Sequence, residues 1–204
     1  MTNGFDGLVD RFRTASAGFT RTLRAVRRPE QWCRPTPCTE WNVRQLANHM
    51  ARGNLNYVTL LEGGSAEDFL RCRDVDALGD APVDAYVRSV EACAEAFGRP
   101  GALDRTLDYP LGRVGGRQAL AVRITDSTVH TWDLARALGT DDTLDPALVG
   151  WIADHLEAIY AGLAETPTDP ATTHRFFAAP GGGPLSGEAS AQARLLHRLG
   201  RTAG

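Results

Sequence analysis

The stretch ALAVRITDSTVHTWDLARALG, residues 119–139, decides the fold. It contains no proline and has glycine only at its end. Leu120, Ile124, Leu134 and Leu138 recur at helical intervals, so it reads as one long helix from about Arg117 to Leu138. Beside that apolar stripe, Arg123, Asp126, His130 and Asp133 follow one another at steps of three, four and three and share a side of the helix. Ionisable groups bordering a core-facing stripe need partners or a metal, because burying them bare costs several kcal/mol. Asp126 and His130, four apart, point the same way.

Spacing alone also fits a plain helix-surface pair, since a chain with 25 acidic residues and 5 histidines places some acid four residues before a histidine by chance. A second histidine supplies context. His49 stands in NVRQLANHMARGNLNYVTLL, residues 42–61, another predicted helix. Two ligands one turn apart plus one from a facing helix is how a bundle builds an open metal site. Three protein ligands leave a fourth position for water or a substrate atom, which points to catalysis rather than to structure.

The remaining chain supplies further helices. Phe5, Leu8, Phe12, Phe19, Leu23 and Val26 predict an amphipathic helix over 5–28, ended by Pro29, Pro35 and Pro37. Asn42 with Gln45 forms a capping-box pattern ahead of Val43, Leu46, Met50, Tyr57 and Leu61, and Gly63-Gly64 stops that helix. A polar stretch with Gly79, Asp80 and Pro82 leads to Val83, Tyr86, Val87, Val90, Cys93, Ala94 and Phe97, a third helix ending at Gly98. GALDRTLDYPLGRVGG is a long connection with room for a short hairpin. Asp145 as N-cap and Pro146 at the first helical position open a fifth helix through Leu148, Ile152, Leu156, Ile159 and Leu163. Residues 166–188 are rich in Pro and Gly and irregular, and ASAQARLLHRLGR closes the chain with a short helix. There is no repeat and no strand-rich half. The expected fold is an all-α bundle over residues 1–165, with an extension over 166–204 packing on it.

A net charge of −3 without any basic block argues against nucleic acid and anionic membranes as partners. No apolar run approaches membrane-spanning length and the N-terminus lacks a signal-peptide pattern, so the expected compartment is the cytoplasm. There Cys33, Cys38, Cys72 and Cys93 are expected as free thiols. Their spacing matches no paired zinc pattern, so a cysteine metal site is not expected, and Cys93 reads as inert core.

Around the candidate ligands, Arg123 either holds a substrate carboxylate or pairs with Asp126. Arg52, three residues after His49, is a second candidate for substrate contact, or a solvated side chain. Asp133 either orients an imidazole or pairs with Arg136. Asn56, two turns after His49, either hydrogen-bonds a polar ligand or lies on the helix surface. Gly53 either leaves open space above an ion at His49 or lets helices pack closely. Trp132 reads as core, and His155, His174 and His197 are not expected as ligands.

Taken together, TPCTEWNVRQLANHM, TDSTVHTWDLARALG and ARLLHRLGR resemble the DinB-like superfamily, in particular the mycothiol-dependent maleylpyruvate isomerase N-terminal family of actinobacteria. The resemblance covers most of the chain. It implies a DinB-like four-helix bundle with a divalent metal, usually zinc, held by His49, Asp126 and His130. It also implies a low-molecular-weight thiol such as mycothiol as co-substrate, in S-transfer to, or cis-trans isomerisation of, a small electrophile. A metal-dependent hydrolase and a non-catalytic small-molecule-binding bundle are the alternatives. Two departures stand out: Asp126 replaces the Glu of the family pattern, one methylene shorter, and a short tail stands in place of the isomerases' further C-terminal domain.

Overall fold

Four long helices carry the core in a computed structural model that describes residues 5–39, 41–163 and 187–201. The first, α1 (Leu8–Leu23), buries Leu8, Phe12, Ala15, Phe19 and Leu23 along one face, the spacing of an amphipathic helix. It ends earlier than the expected residue 28. The Gln31 side-chain oxygen accepts from the Arg27 and Arg28 N–H groups at 2.8 and 2.9 Å, so those donors are satisfied outside a helix.

Helix α2 (Val43–Leu61) starts at the predicted capping box. Asn42 Oδ1 accepts from the Gln45 N–H, and Gln45 Oε1 accepts from the Asn42 N–H, both at 2.9 Å. The polar stretch that follows holds a short helix absent from the sequence reading, α3 (Ala66–Cys72), opened by a Ser65–Asp68 capping box. Helix α4 (Pro82–Gly98) has proline in its first turn.

The long connection does fold as a hairpin, β1 (Thr106–Tyr109) against β2 (Gly112–Gly115), antiparallel with Leu107 opposite Val114. Those two side chains are buried, so one face of the small sheet joins the core.

Helix α5 (Gly116–Leu138) is buried on nearly every side, with Trp132 included. Its threonine hydroxyls tolerate this because Thr125, Thr128 and Thr131 donate to the carbonyls one turn back, Ala121, Ile124 and Ser127. Asp145 Oδ1 caps α6 (Pro146–Tyr160) by accepting from the Ala147 and Leu148 N–H groups. Ser190 caps α7 (Ala191–Arg198), which lies against α6 and buries Leu195 and Leu196.

Helix α1 packs on α5 and α4, and α2 packs on α4 and α5. These four close the bundle, and α6 covers α5 from outside. The architecture is the expected helical bundle with one small hairpin at its side. Buried apolar side chains form two clusters. Along α2 the change from one to the other falls between Ala51 and Tyr57, where Gly53 and the buried Asn54 stand. No helix among the described residues is long and apolar enough to cross a membrane. Of the segment expected to be irregular, residues 166–186, His174 included, lie outside the described residues.

Replacing Asn42 by Ala removes the α2 capping box and should cost about 1 kcal/mol. Urea denaturation of the metal-free protein should show a lower midpoint at unchanged slope.

Candidate metal centre

One face of α2 and one of α5 meet across His49, Asp126 and His130. Each offers one ligand atom, and the three atoms lie within 4.8 Å of one another. His49 Nε2 stands 3.8 Å from Asp126 Oδ2, and His130 Nε2 stands 3.9 Å from Asp126 Oδ1. Both separations exceed a hydrogen bond. They approach the roughly 3.4 Å between ligand atoms around a tetrahedral ion with bonds of about 2.1 Å. The imidazole rings stand edge to face with centroids 5.3 Å apart, and Trp41 stacks on His49 at 4.4 Å. His130 is buried, whereas His49 and Asp126 keep 25 and 17 % of their side-chain surface, so the cluster is reachable from one side.

The electrostatics suit a cation. Burial pulls the His49 imidazole down to about 4, against the opposing pull of Asp126, so it is neutral near pH 7 and its lone pair is available. Burial by itself would raise the Asp126 carboxyl, but His49, His130 and the Arg123 guanidinium outweigh it and hold the group well below the usual carboxylate range. Two imidazole nitrogens and one carboxylate form a donor set that zinc accepts.

A second layer lies behind His130. Asp133 Oδ2 meets His130 Nδ1 at 2.8 Å, the carboxylate–imidazole arrangement that orients a metal-ligating ring. Asp133 is itself held by Arg201, Nη2 to Oδ2 at 2.7 Å and Nε to Oδ1 at 3.1 Å. Arg136, the alternative partner from sequence, instead pairs with Asp142 at 3.3 Å. Burial would raise Asp133, but His130 and Arg201 bring it down to about 2.

Cys38 completes this layer and was not foreseen. Its thiol donates to Asp133 Oδ2 at 3.2 Å and lies 3.8 Å from His130 Nδ1. Cys38, His130 and Asp133 therefore form a second group with metal-ligand spacing, a grouping that no spacing in the sequence announces. Arg201 stands 3.1 Å from the sulfur, and its charge opposes a cation there. Burial and the Asp133 charge also push the thiol pKa up, away from the thiolate that metals bind.

The other sequence candidates separate. Arg123 is 1 % exposed and reaches Asp126 Oδ2 at 3.1 Å, so of its two expected roles the structure shows the pairing. The space over Gly53 is not open: a Cβ there would stand 2.7 Å from Arg123 Nη1. Arg52 donates to the Val75 and Asp76 carbonyls at 3.2 and 3.3 Å, bracing a loop. Asn56 is buried and donates to the Phe69 carbonyl at 3.3 Å, tying α2 to α3. For both, the polar end is held by backbone carbonyls of a neighbouring segment. His155 Nδ1 donates to the Trp151 carbonyl at 2.8 Å, and its ring stacks on that indole.

Two histidines and one acid converging from α2 and α5 make a candidate metal site within a helical bundle. Residues 12–135 match the model of the mycothiol maleylpyruvate isomerase N-terminal domain. The chain belongs to that family. Two uncharacterised proteins, from two strains of Mycobacterium tuberculosis, are each 35 % identical over 134 residues, 66 % of this chain and 69 % of theirs. A crystal structure of the mycothiol-dependent maleylpyruvate isomerase shares the fold, with a TM-score of 0.58 at 17 % identity over 75 % of this chain and 71 % of that one.

Removing Arg201 leaves Asp133 buried without its cation, so Arg201→Leu should cost roughly 3–5 kcal/mol in urea denaturation. Arg136→Leu, at an exposed pair, should cost under about 1 kcal/mol. Asp133 sits below its unfolded value of about 3.9, so its contribution is present above pH 4 and lost as pH falls through about 2. Stability measured between pH 5 and pH 2 should therefore fall less steeply in Asp133→Asn.

Proposed function

We propose that the chain is a metal-dependent enzyme that uses a low-molecular-weight thiol, mycothiol or a close analogue, on a small electrophilic metabolite. The observation that carries this reading is the convergence of His49, Asp126 and His130 at near-coordination spacing on a face open to solvent. These three would hold a divalent ion, zinc by the softness and count of the donors. When bound, such an ion favours a thiolate over a thiol and so supplies the nucleophile.

The chain's own residues serve that chemistry by position. With its proton on Nδ1 toward Asp133, His130 presents the Nε2 lone pair to an ion on the Asp126 side. Trp41 shields one face of His49 from water. Cys38 stays a protonated thiol and is no competitor as nucleophile. With the incoming thiolate, two outcomes balance. Addition to a carbon followed by protonation leaves a stable S–C bond, an S-transferase reaction. Addition to a conjugated cis double bond, rotation about the resulting single bond and expulsion of the thiolate return the thiol, an isomerisation. We assign Arg123 no contact with substrate, since its guanidinium is buried. Free cysteines at Cys33, Cys38, Cys72 and Cys93 support a reducing, cytoplasmic setting.

Purified protein incubated with mycothiol and a panel of unsaturated carbonyl and carboxylate electrophiles should form adducts or isomers in proportion to bound zinc. His130→Ala should lose both turnover and metal with its far-UV circular dichroism intact. An unchanged metal content and activity in that variant would refute the assignment.

A further inference from the structure

Arg123 is a fully buried guanidinium on α5 whose bonds run mostly to another helix. Its Nη2 donates to the Met50 carbonyl and its Nε donates to Asn54 Oδ1 at 2.7 Å, both on α2. Only Nη1 stays on its own helix, reaching Asp126 Oδ2 at 3.1 Å. Asn54 is fixed in turn, since its amide donates to Ser89 Oγ at 3.0 Å and that hydroxyl donates to the Tyr86 carbonyl on α4. The partners leave the Asn54 amide one sensible orientation, oxygen toward the guanidinium and nitrogen toward Ser89. The guanidinium is seated over Gly53, where a Cβ would lie 2.7 Å from Nη1 and 3.0 Å from Cζ. Glycine in mid-helix gives up about 1 kcal/mol of helix propensity relative to alanine, and here the missing side chain is what admits the cation.

We propose that Arg123 is a positioning residue for the metal centre, seated through Gly53. It clamps one Asp126 oxygen, leaves the other to serve as the ligand, and ties the α2 that carries His49 to the α5 that carries Asp126 and His130. The geometry distinguishes the two oxygens: Oδ2 accepts from Arg123 and lies 3.8 Å from His49 Nε2, while Oδ1 lies 3.9 Å from His130 Nε2. A carboxylate held this way offers an ion one oxygen rather than two, and its short Asp side chain has little freedom to turn. Three bonds to three different groups make the guanidinium a strut between helices, a geometry that the point charge of a lysine does not reproduce.

The inference rests on the metal reading above, and the test separates the two. Full-length wild type, Arg123→Gln, Gly53→Ala and the double variant are titrated with Co(II) alone. The readouts are affinity and the visible ligand-field spectrum, with far-UV circular dichroism recorded on each. Arg123→Gln and Gly53→Ala should each weaken Co(II) binding by about 10–100-fold and change the spectrum. The double variant should be no worse than Arg123→Gln, because Gly53 acts only through the arginine. Wild-type affinity and spectrum in either folded single variant overturn the inference, as do costs that add in the double variant. If Arg123→Gln fails to fold, Arg123→Lys, which keeps the buried charge without the fork, takes its place, and wild-type affinity and spectrum in that variant overturn the inference. A wild type whose Co(II) spectrum is indistinguishable from that of His130→Ala overturns the metal reading and this inference together.

Discussion

Charge buried along α5 is the constraint on which the rest of the structure depends. The helix has no solvent side to speak of, yet it carries Arg123, Asp126, His130 and Asp133 within eleven residues. Each must be matched where it lies, because an unpaired ion in such a setting is strongly destabilising. The matches come from outside the helix in two directions. α2 supplies the Met50 carbonyl and Asn54 for Arg123 and brings His49 to Asp126. The chain's last described residue, Arg201, reaches back to Asp133. The turn after α7, which brings Arg201 to Asp133, and the glycine at position 53, which admits Arg123, both serve that matching.

His130 joins the two directions. Its Nδ1 is held by Asp133 and its Nε2 faces Asp126 and His49. The paired acids therefore do different work: Asp133 spends its charge on an arginine and an imidazole, while Asp126 keeps an oxygen toward the open side. The same arrangement makes the Cys38 side of His130 unwelcoming to a cation, because Arg201 already occupies it.

Much of this was legible in the sequence. Caps at Asn42 and Asp145, the hairpin and the helical phase that gathers Asp126 and His130 all rest on local patterns, and local patterns survive folding. What sequence missed was set by distance along the chain. Cys38 and Arg201 meet Asp133 across 95 and 68 residues, and no periodicity announces such partners. Arg52 and Asn56 share the His49 side of α2, but their polar ends were claimed by the Val75, Asp76 and Phe69 carbonyls. Those acceptors belong to a loop and to a short helix whose only advance signal was Ser65 three residues before Asp68. Gly53 was legible as a space, though the occupant of that space was not.

The central claim is that the ion sits on the Asp126 side of His130. Zinc-edge X-ray absorption on the zinc-loaded protein without added thiol tests it directly. The account predicts a first shell of nitrogen and oxygen at about 2.0–2.2 Å, with imidazole outer-shell scattering from two rings and no sulfur. A sulfur scatterer at about 2.3 Å would place the ion at Cys38, and would contradict the account.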